Sequence, residues 1–347
     1  MYEARFWEPL EDKIVRCTLC PQYCKIREGK RGFCGVRENK EGKLYTLNYG
    51  LISSAFPDPI EKKPLFHFWP GSCAYSLGTI GCNLYCLFCQ NFTIARAKPE
   101  EYRLVETTPK EIVKKAKKSP CKSIAYTYNE PIIWYEFVYD TAKIAKEEGL
   151  FNILVTNGFI TQEPLNEIAP YINAANVDVK SFNEEFYRKI TKSKLQPVLE
   201  TCKTMVEKGI HLEITTLLIP GYNDSEEELK ALTKWVVENL GPEIPHHFSR
   251  FYPHFKLLDA PPTPTKTIEK AMKIAKEQGE KYVYAGNIPG HNSENTYCPN
   301  CGKQLIRRIG FRIGAYDLNK DATCPQCNTK IPIKGPIEEE EKEVYYT

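Results

Sequence analysis

Apolar, β-branched runs recur through the middle of the chain at Tyr75–Ile80, Ser123–Tyr128, Asn152–Val155, Ala175–Val179, Leu212–Ile219 and Phe248–Tyr252, and again at Tyr282–Ala285. Short runs of this kind read as strands. Helical patterns fall between them. Thr107-Thr108-Pro109 precedes Glu111–Lys118, a cap with proline at an early helical position. Asp224-Ser225 opens Glu226–Leu240, where Leu229, Leu232, Trp235, Val236 and Leu240 follow i, i+3, i+4 spacing, and Thr267 opens a similar run ending at Gly279. Strands alternating with helices are βαβ units, which predict an α/β fold around a parallel sheet.

The pattern changes at both ends. Residues 1–60 show little periodicity and carry Cys17, Cys20, Cys24 and Cys34 among Gly, Lys and Arg; the alternating region follows over 61–290. A second cysteine-rich module spans 291–335, and 336–347 reads as a frayed acidic tail beginning its charge run at Glu338–Glu341. A length of 347 residues suits one large domain with small satellites. The formal charge of +3 argues neither for nor against nucleic acid. No apolar run approaches a bilayer span and the first residues do not start a signal peptide, so a cytoplasmic protein without membrane partners is expected.

Cysteine carries the chemistry. Of 14 cysteines, all but Cys73, Cys121 and Cys202 fall in three tight clusters, which in a reducing compartment indicates metal binding; those three are expected as buried small residues. Cys82, Cys86 and Cys89 are spaced C-x3-C-x2-C on one short loop. Three thiolates can each hold one iron of a [4Fe–4S] cube, and with no fourth cysteine close downstream one iron stays open to a ligand. The competing readings are an incomplete zinc site or three packed cysteines. Gly78 and Gly81 flank the loop and are expected to give the backbone room beside the cluster. Near the C-terminus, Cys298-x2-Cys301 and Cys324-x2-Cys327 read as a structural zinc ribbon, with rubredoxin-like iron or an auxiliary cluster as alternatives. Cys17-x2-Cys20-x3-Cys24-x9-Cys34 offers four more ligands, for zinc or an auxiliary Fe–S cluster, with a slight preference for zinc. Arg307, Arg308 and Arg312 are expected on a solvated strand face rather than against RNA.

Parallel βα folds place chemistry outside the carboxyl ends of their strands. Thr127-Tyr128-Asn129-Glu130-Pro131, Thr156-Asn157-Gly158, Asp178-Val179-Lys180 and Pro245-His246-His247 are the polar groups that rim collects.

The cysteine loop, with Phe88 just before its last cysteine, resembles that of the radical SAM superfamily. Further motifs resemble the pyruvate formate-lyase activating enzymes, and more closely the radical SAM member of the AmmeMemoRadiSam group. They are Cys20-Pro21 with Cys34-Gly35-Val36-Arg37, Cys89-Gln90-Asn91, Thr127–Pro131, Tyr284-Ala285-Gly286-Asn287 and the terminal ribbon. The resemblance implies a partial (β/α)6 TIM-like barrel with small metal-binding modules at either end. It implies a [4Fe–4S] cluster on Cys82, Cys86 and Cys89 whose open iron takes S-adenosylmethionine (SAM). SAM would be met by Phe88 at its adenine, by Asn129, Glu130 and Asn157, and by Asp178, Lys180 and His247, the last three nearest the chemistry. Two departures stand out: Tyr128-Asn129 replaces a Gly-Gly before Glu130, and Val155 replaces an aspartate before Thr156. The implied reaction is reductive cleavage of SAM to a 5′-deoxyadenosyl radical, which abstracts hydrogen from a peptide or small molecule. A low-potential donor such as ferredoxin or flavodoxin would supply the electron. An RNA-modifying enzyme and a non-catalytic metal-binding adaptor are the alternative functions.

Overall fold

The computed structural model describes residues 1–288 and 290–335, so the acidic tail lies outside the described residues. Eight strands form the central sheet in sequence order: β1 (Ser54–Pro59), β2 (Cys73–Gly78), β3 (Ser123–Tyr126), β4 (Phe151–Thr156), β5 (Ala174–Asp178), β6 (His211–Leu218), β7 (His246–Arg250) and β8 (Val283–Gly286). From β2 to β8 every neighbouring pair is parallel, whereas β1 runs antiparallel to β2 and closes one edge. The result is an open, TIM-like partial barrel. All the runs expected as strands are present, within one to two residues at most ends. β1 is the addition: Ser-Ala-Phe-Pro-Asp-Pro carries two prolines, which only an edge strand tolerates. It also carries the sheet into the segment expected to belong to the N-terminal module.

Helices α1 (Pro109–Lys118), α2 (Tyr135–Glu147), α3 (Gln162–Ile168), α4 (Gln196–Glu207), α5 (Glu226–Asn239) and α6 (Thr265–Glu277) cover the outer face. α1 starts with the expected Thr108, whose side chain accepts from Glu111 N while Glu111 reaches back to Thr108 N. α5 is capped by Ser225. α2 was hidden by its polar contents: Glu136 is buried within it, facing the equally buried Arg37 at 2.7 Å.

The first 50 residues build short antiparallel pieces rather than an irregular coil. Val15–Cys17 pairs with both Trp7–Pro9 and Lys25–Ile26, and Arg37–Lys40 pairs with Lys43–Thr46. At the other end Thr296–Tyr297, Gln304–Ile309 and Arg312–Tyr316 form a three-stranded sheet. Its packing corrects one expectation. Arg307 and Arg312 are exposed, but Arg308 is 5% exposed and points inward, 4.0 Å above the Phe66 ring, donating to Phe66 O, Glu294 O and Thr296 Oγ1. A buried guanidinium stacked on an aromatic ring is no part of an RNA-binding face. A second correction concerns Cys73 and Cys121, which form a disulfide across the starts of β2 and β3 instead of packing as free thiols; Cys202 is buried and free as expected.

Candidate active site at the carboxyl rim

The loop after β2 carries Cys82, Cys86 and Cys89 and is fastened at several points. Asn129, from the loop after β3, accepts from Thr79 N at 3.0 Å and donates to Gly81 O at 2.9 Å. Arg96 donates to Cys82 O and Leu84 O, at 2.9 and 2.6 Å. Tyr85 N and Leu87 N donate to Thr191 O and Ile190 O, tying the loop to the stretch before α4. Gly81 has φ +91°, and a Cβ there would lie 2.8 Å from Cys34 O and 2.9 Å from Val36 Cγ1. A Cβ on Gly78 would meet Ser54 Oγ and Tyr128 Cδ2 within 3.0 Å. Both glycines therefore admit neighbouring protein, Gly81 the Cys34–Val36 stretch and Gly78 Ser54 and Tyr128.

Asn157, Asp178 and Lys180 assemble around this loop. Asn157 donates to Asn83 Oδ1 at 2.9 Å and reaches Cys82 Sγ at 3.7 Å. Lys180 Nζ lies 2.8 Å from Asp178 Oδ2 and 5.8 Å from the centre of the buried Phe88 ring. Burial opposes charge on Lys180, but Asp178 and the Cys86 sulfur outweigh it and raise its pKa. Asp178 keeps 39% of its side chain exposed, so this carboxylate faces open space.

Glu130 is engaged by protein donors. It is 3% exposed; Oε1 accepts from Ile132 N and Thr156 Oγ1, and Oε2 from Asn157 N. Burial pushes its pKa to about 7 despite these donors. It braces two rim loops from behind. His247 is level with Asp178 across Thr215 of β6. Its ring is buried, with Nε2 2.7 Å from Glu213 Oε2 and one face on Tyr284. Asn83, Arg96 and Glu213 are site residues that motif reading missed; Asn83 sat inside the cysteine motif itself.

The residues fit a cluster with an anionic thiolate set. Leu84 N donates to Cys82 Sγ at 3.4 Å. The charges of Lys180 and Arg96 act on both Cys86 and Cys89. Burial raises all three thiols, Cys86 to about 11, so a metal bound there must displace their protons. At the C-terminus, Cys298, Cys301, Cys324 and Cys327 come together with all sulfurs within 4.8 Å, the geometry of a single tetrahedral ion. No other trio of His, Cys, Asp or Glu does so among the described residues. Cys17, Cys20, Cys24 and Cys34 together line one pocket.

Residues 77–233 match the Radical SAM superfamily profile. Uncharacterized protein MJ0808 of Methanocaldococcus jannaschii is 50% identical over 334 residues, spanning 96% of this chain and 99% of that protein. Pyruvate formate-lyase 1-activating enzyme of Escherichia coli is 23% identical over 218 residues, 59% of this chain and 89% of that enzyme. Streptococcus suis SuiB bound to S-adenosylmethionine shares the fold, with TM-score 0.50 and 15% identity over 69% of this chain and 56% of that one. The chain belongs to the radical SAM superfamily and is activating-enzyme-like. With membership comes reductive cleavage of SAM by an Fe–S enzyme. Among the described residues no helix is long and apolar enough to cross a membrane.

Proposed function

We propose that Cys82, Cys86 and Cys89 hold the [4Fe–4S] cluster and that the rim above β2–β7 binds SAM for hydrogen abstraction from a peptide or small-molecule substrate. The motif set argues for kinship with the radical SAM member of the AmmeMemoRadiSam group. When bound, the cluster supplies the electron that breaks a carbon–sulfur bond of SAM, giving methionine and a 5′-deoxyadenosyl radical. Asp178 offers a carboxylate to the amino group of SAM. Lys180 keeps its charge through Asp178 and opposes the carboxylate of SAM, and the Phe88 ring beside it covers the adenine. Asn129 and Asn157 hold the loop in register, Glu130 positions Asn157, and Glu213 holds the His247 ring at the inner wall. The C-terminal four cysteines bind zinc as a brace. A one-electron donor of the ferredoxin or flavodoxin class delivers the electron.

The observation that carries this reading is the meeting of the three-cysteine loop with the Asp178–Lys180 pair at one strand-end rim, 2.8 Å apart within the pair. Cys82→Ala, Cys86→Ala or Cys89→Ala should each abolish 5′-deoxyadenosine formation by dithionite-reduced enzyme. Wild-type yields from any one of them would refute the assignment.

A further inference from the structure

We propose that the loop after β7, residues 252–262, is a gate across the mouth of the open barrel, and that Lys256 and Phe255 are the positioning residues that latch it onto the cysteine loop. The gate rests on the function proposed above for its ligand: SAM enters with the loop lifted and is cleaved with it shut.

The loop is built to move as one piece. Its two ends meet, Phe251 N donating to Thr263 Oγ1 and Thr263 N to Phe251 O, each at 3.0 Å. Arg250 Nε donates to Thr263 O and Thr263 Oγ1 to Leu218 O, both at 2.6 Å, which fixes the neck to the strands below. A compact surface loop on a closed neck can swing without disturbing those strands. Pro253, Pro261 and Pro262 stiffen the arms between neck and tip, and the chain bends at Phe255, where φ is +54°.

The tip lands on the cysteine loop. Lys256 N donates at 2.8 Å to Leu87 O, between Cys86 and Phe88. Lys256 Nζ donates to Tyr85 Oη at 2.8 Å, and Phe255 stacks on Phe92 with ring centres 4.8 Å apart. Arg96 also lies 4.9 Å from the centre of the Tyr85 ring, so that ring meets two cations while the latch is closed. The landing point adjoins Phe88, whose ring is 5.8 Å from Lys180 Nζ. β7 is the last strand but one of the sheet, and the cysteine loop follows the second, so the contact ties together the two edges that the sheet leaves unpaired. Leu257 turns inward beside the latch and is 6% exposed, whereas Tyr252 and Leu258 stand 42% and 63% exposed. Two hydrogen bonds, one ring pair and one inward leucine are few ties at the tip, and segments held so lightly open before the rest of a fold does.

Hydrogen exchange on the reconstituted full chain, with and without SAM, tests this. SAM should slow exchange in residues 252–262 by about tenfold as the closed form is favoured. Lys256→Met should speed exchange in residues 252–262 and 85–92 by about tenfold without SAM. It should weaken SAM binding by about the same factor, read from the response of the cluster's electron paramagnetic resonance signal to SAM. Lys256→Arg, which keeps a cation beside Tyr85, should restore most of both, and Phe255→Leu breaks the latch independently should Lys256→Met fail to fold. Unchanged exchange in residues 252–262, in a chain whose signal does respond to SAM, would overturn the gate and leave the loop a fixed brace. Faster exchange in Lys256→Met with undiminished SAM affinity would overturn it too, since the contact would then be independent of the ligand. A chain with neither a SAM response nor 5′-deoxyadenosine formation would overturn the proposed function, and the gate with it.

Discussion

His67 shows how far a single residue can be committed by its surroundings. Its side chain is fully buried, Nε2 lies 2.6 Å from Tyr284 Oη, and the Tyr282 ring packs 4.6 Å away. Burial drives its pKa from 6.5 to about 3, and the nearby Glu213 charge only partly opposes this. The folded state therefore refuses a proton that the unfolded chain accepts. The stability His67 contributes is complete above pH 6.5 and is lost as pH falls towards about 3, on the order of 5 kcal/mol in all. Wild type should show a falling unfolding midpoint across that window, and His67→Gln a shallower one; identical slopes would discount the residue. Nothing in the sequence marks His67, because its partners come from β6 and β8. The cluster cysteines are the opposite case. Their chemistry demands close spacing on one loop, so they are visible in the chain itself. Glu130 lies between: its motif and its local donor Ile132 N are legible, but the two donors that turn it into a brace, Thr156 Oγ1 and Asn157 N, come from the fold.

At the level of elements, the parallel strands β2 to β8 were legible because their apolar runs are largely buried on both faces. The short N-terminal pieces were not, since two to four residues give alternation no room to show. α4 buries Val198, Thr201, Cys202 and Met205 at helical spacing, but its polar and sulfur-bearing positions obscured the stripe. The contact that matters most between elements is Gly81 against Cys34. At φ +91° an alanine is strained in itself, and its Cβ would sit 2.8 Å from a carbonyl that cannot move without shifting Cys34. Gly81→Ala should therefore loosen the N-terminal module along with the loop, at a cost of about 1–3 kcal/mol. Hydrogen exchange should report it as faster exchange in both residues 15–40 and 79–89. Acceleration confined to the loop would show that the two elements are not coupled there.

The whole molecule is joined across its length by Arg308. The C-terminal sheet delivers it 242 residues along the chain to Phe66 O, and its Nε stands 3.7 Å from Glu61 Oε1, both side chains fully buried. Glu61 also accepts from Gly71 N, and burial still raises its pKa to about 7. Arg308→Met keeps the bulk of the side chain and strands that acid, a loss of about 3–5 kcal/mol. Adding Glu61→Gln removes the stranded charge, so the double variant should recover part of the loss. The metal proposed for the four C-terminal cysteines enters the same account. Cys298 and Cys301 hold one end of the strand pair that carries Arg308, so stripping the ribbon with a chelator should release the guanidinium as well as the thiolates. Chelation should then lower the unfolding midpoint of wild type by more than that of Arg308→Met, in which the contact is already gone. Equal shifts in the two proteins would mean that the ribbon folds on its own and that Arg308 docks without its help.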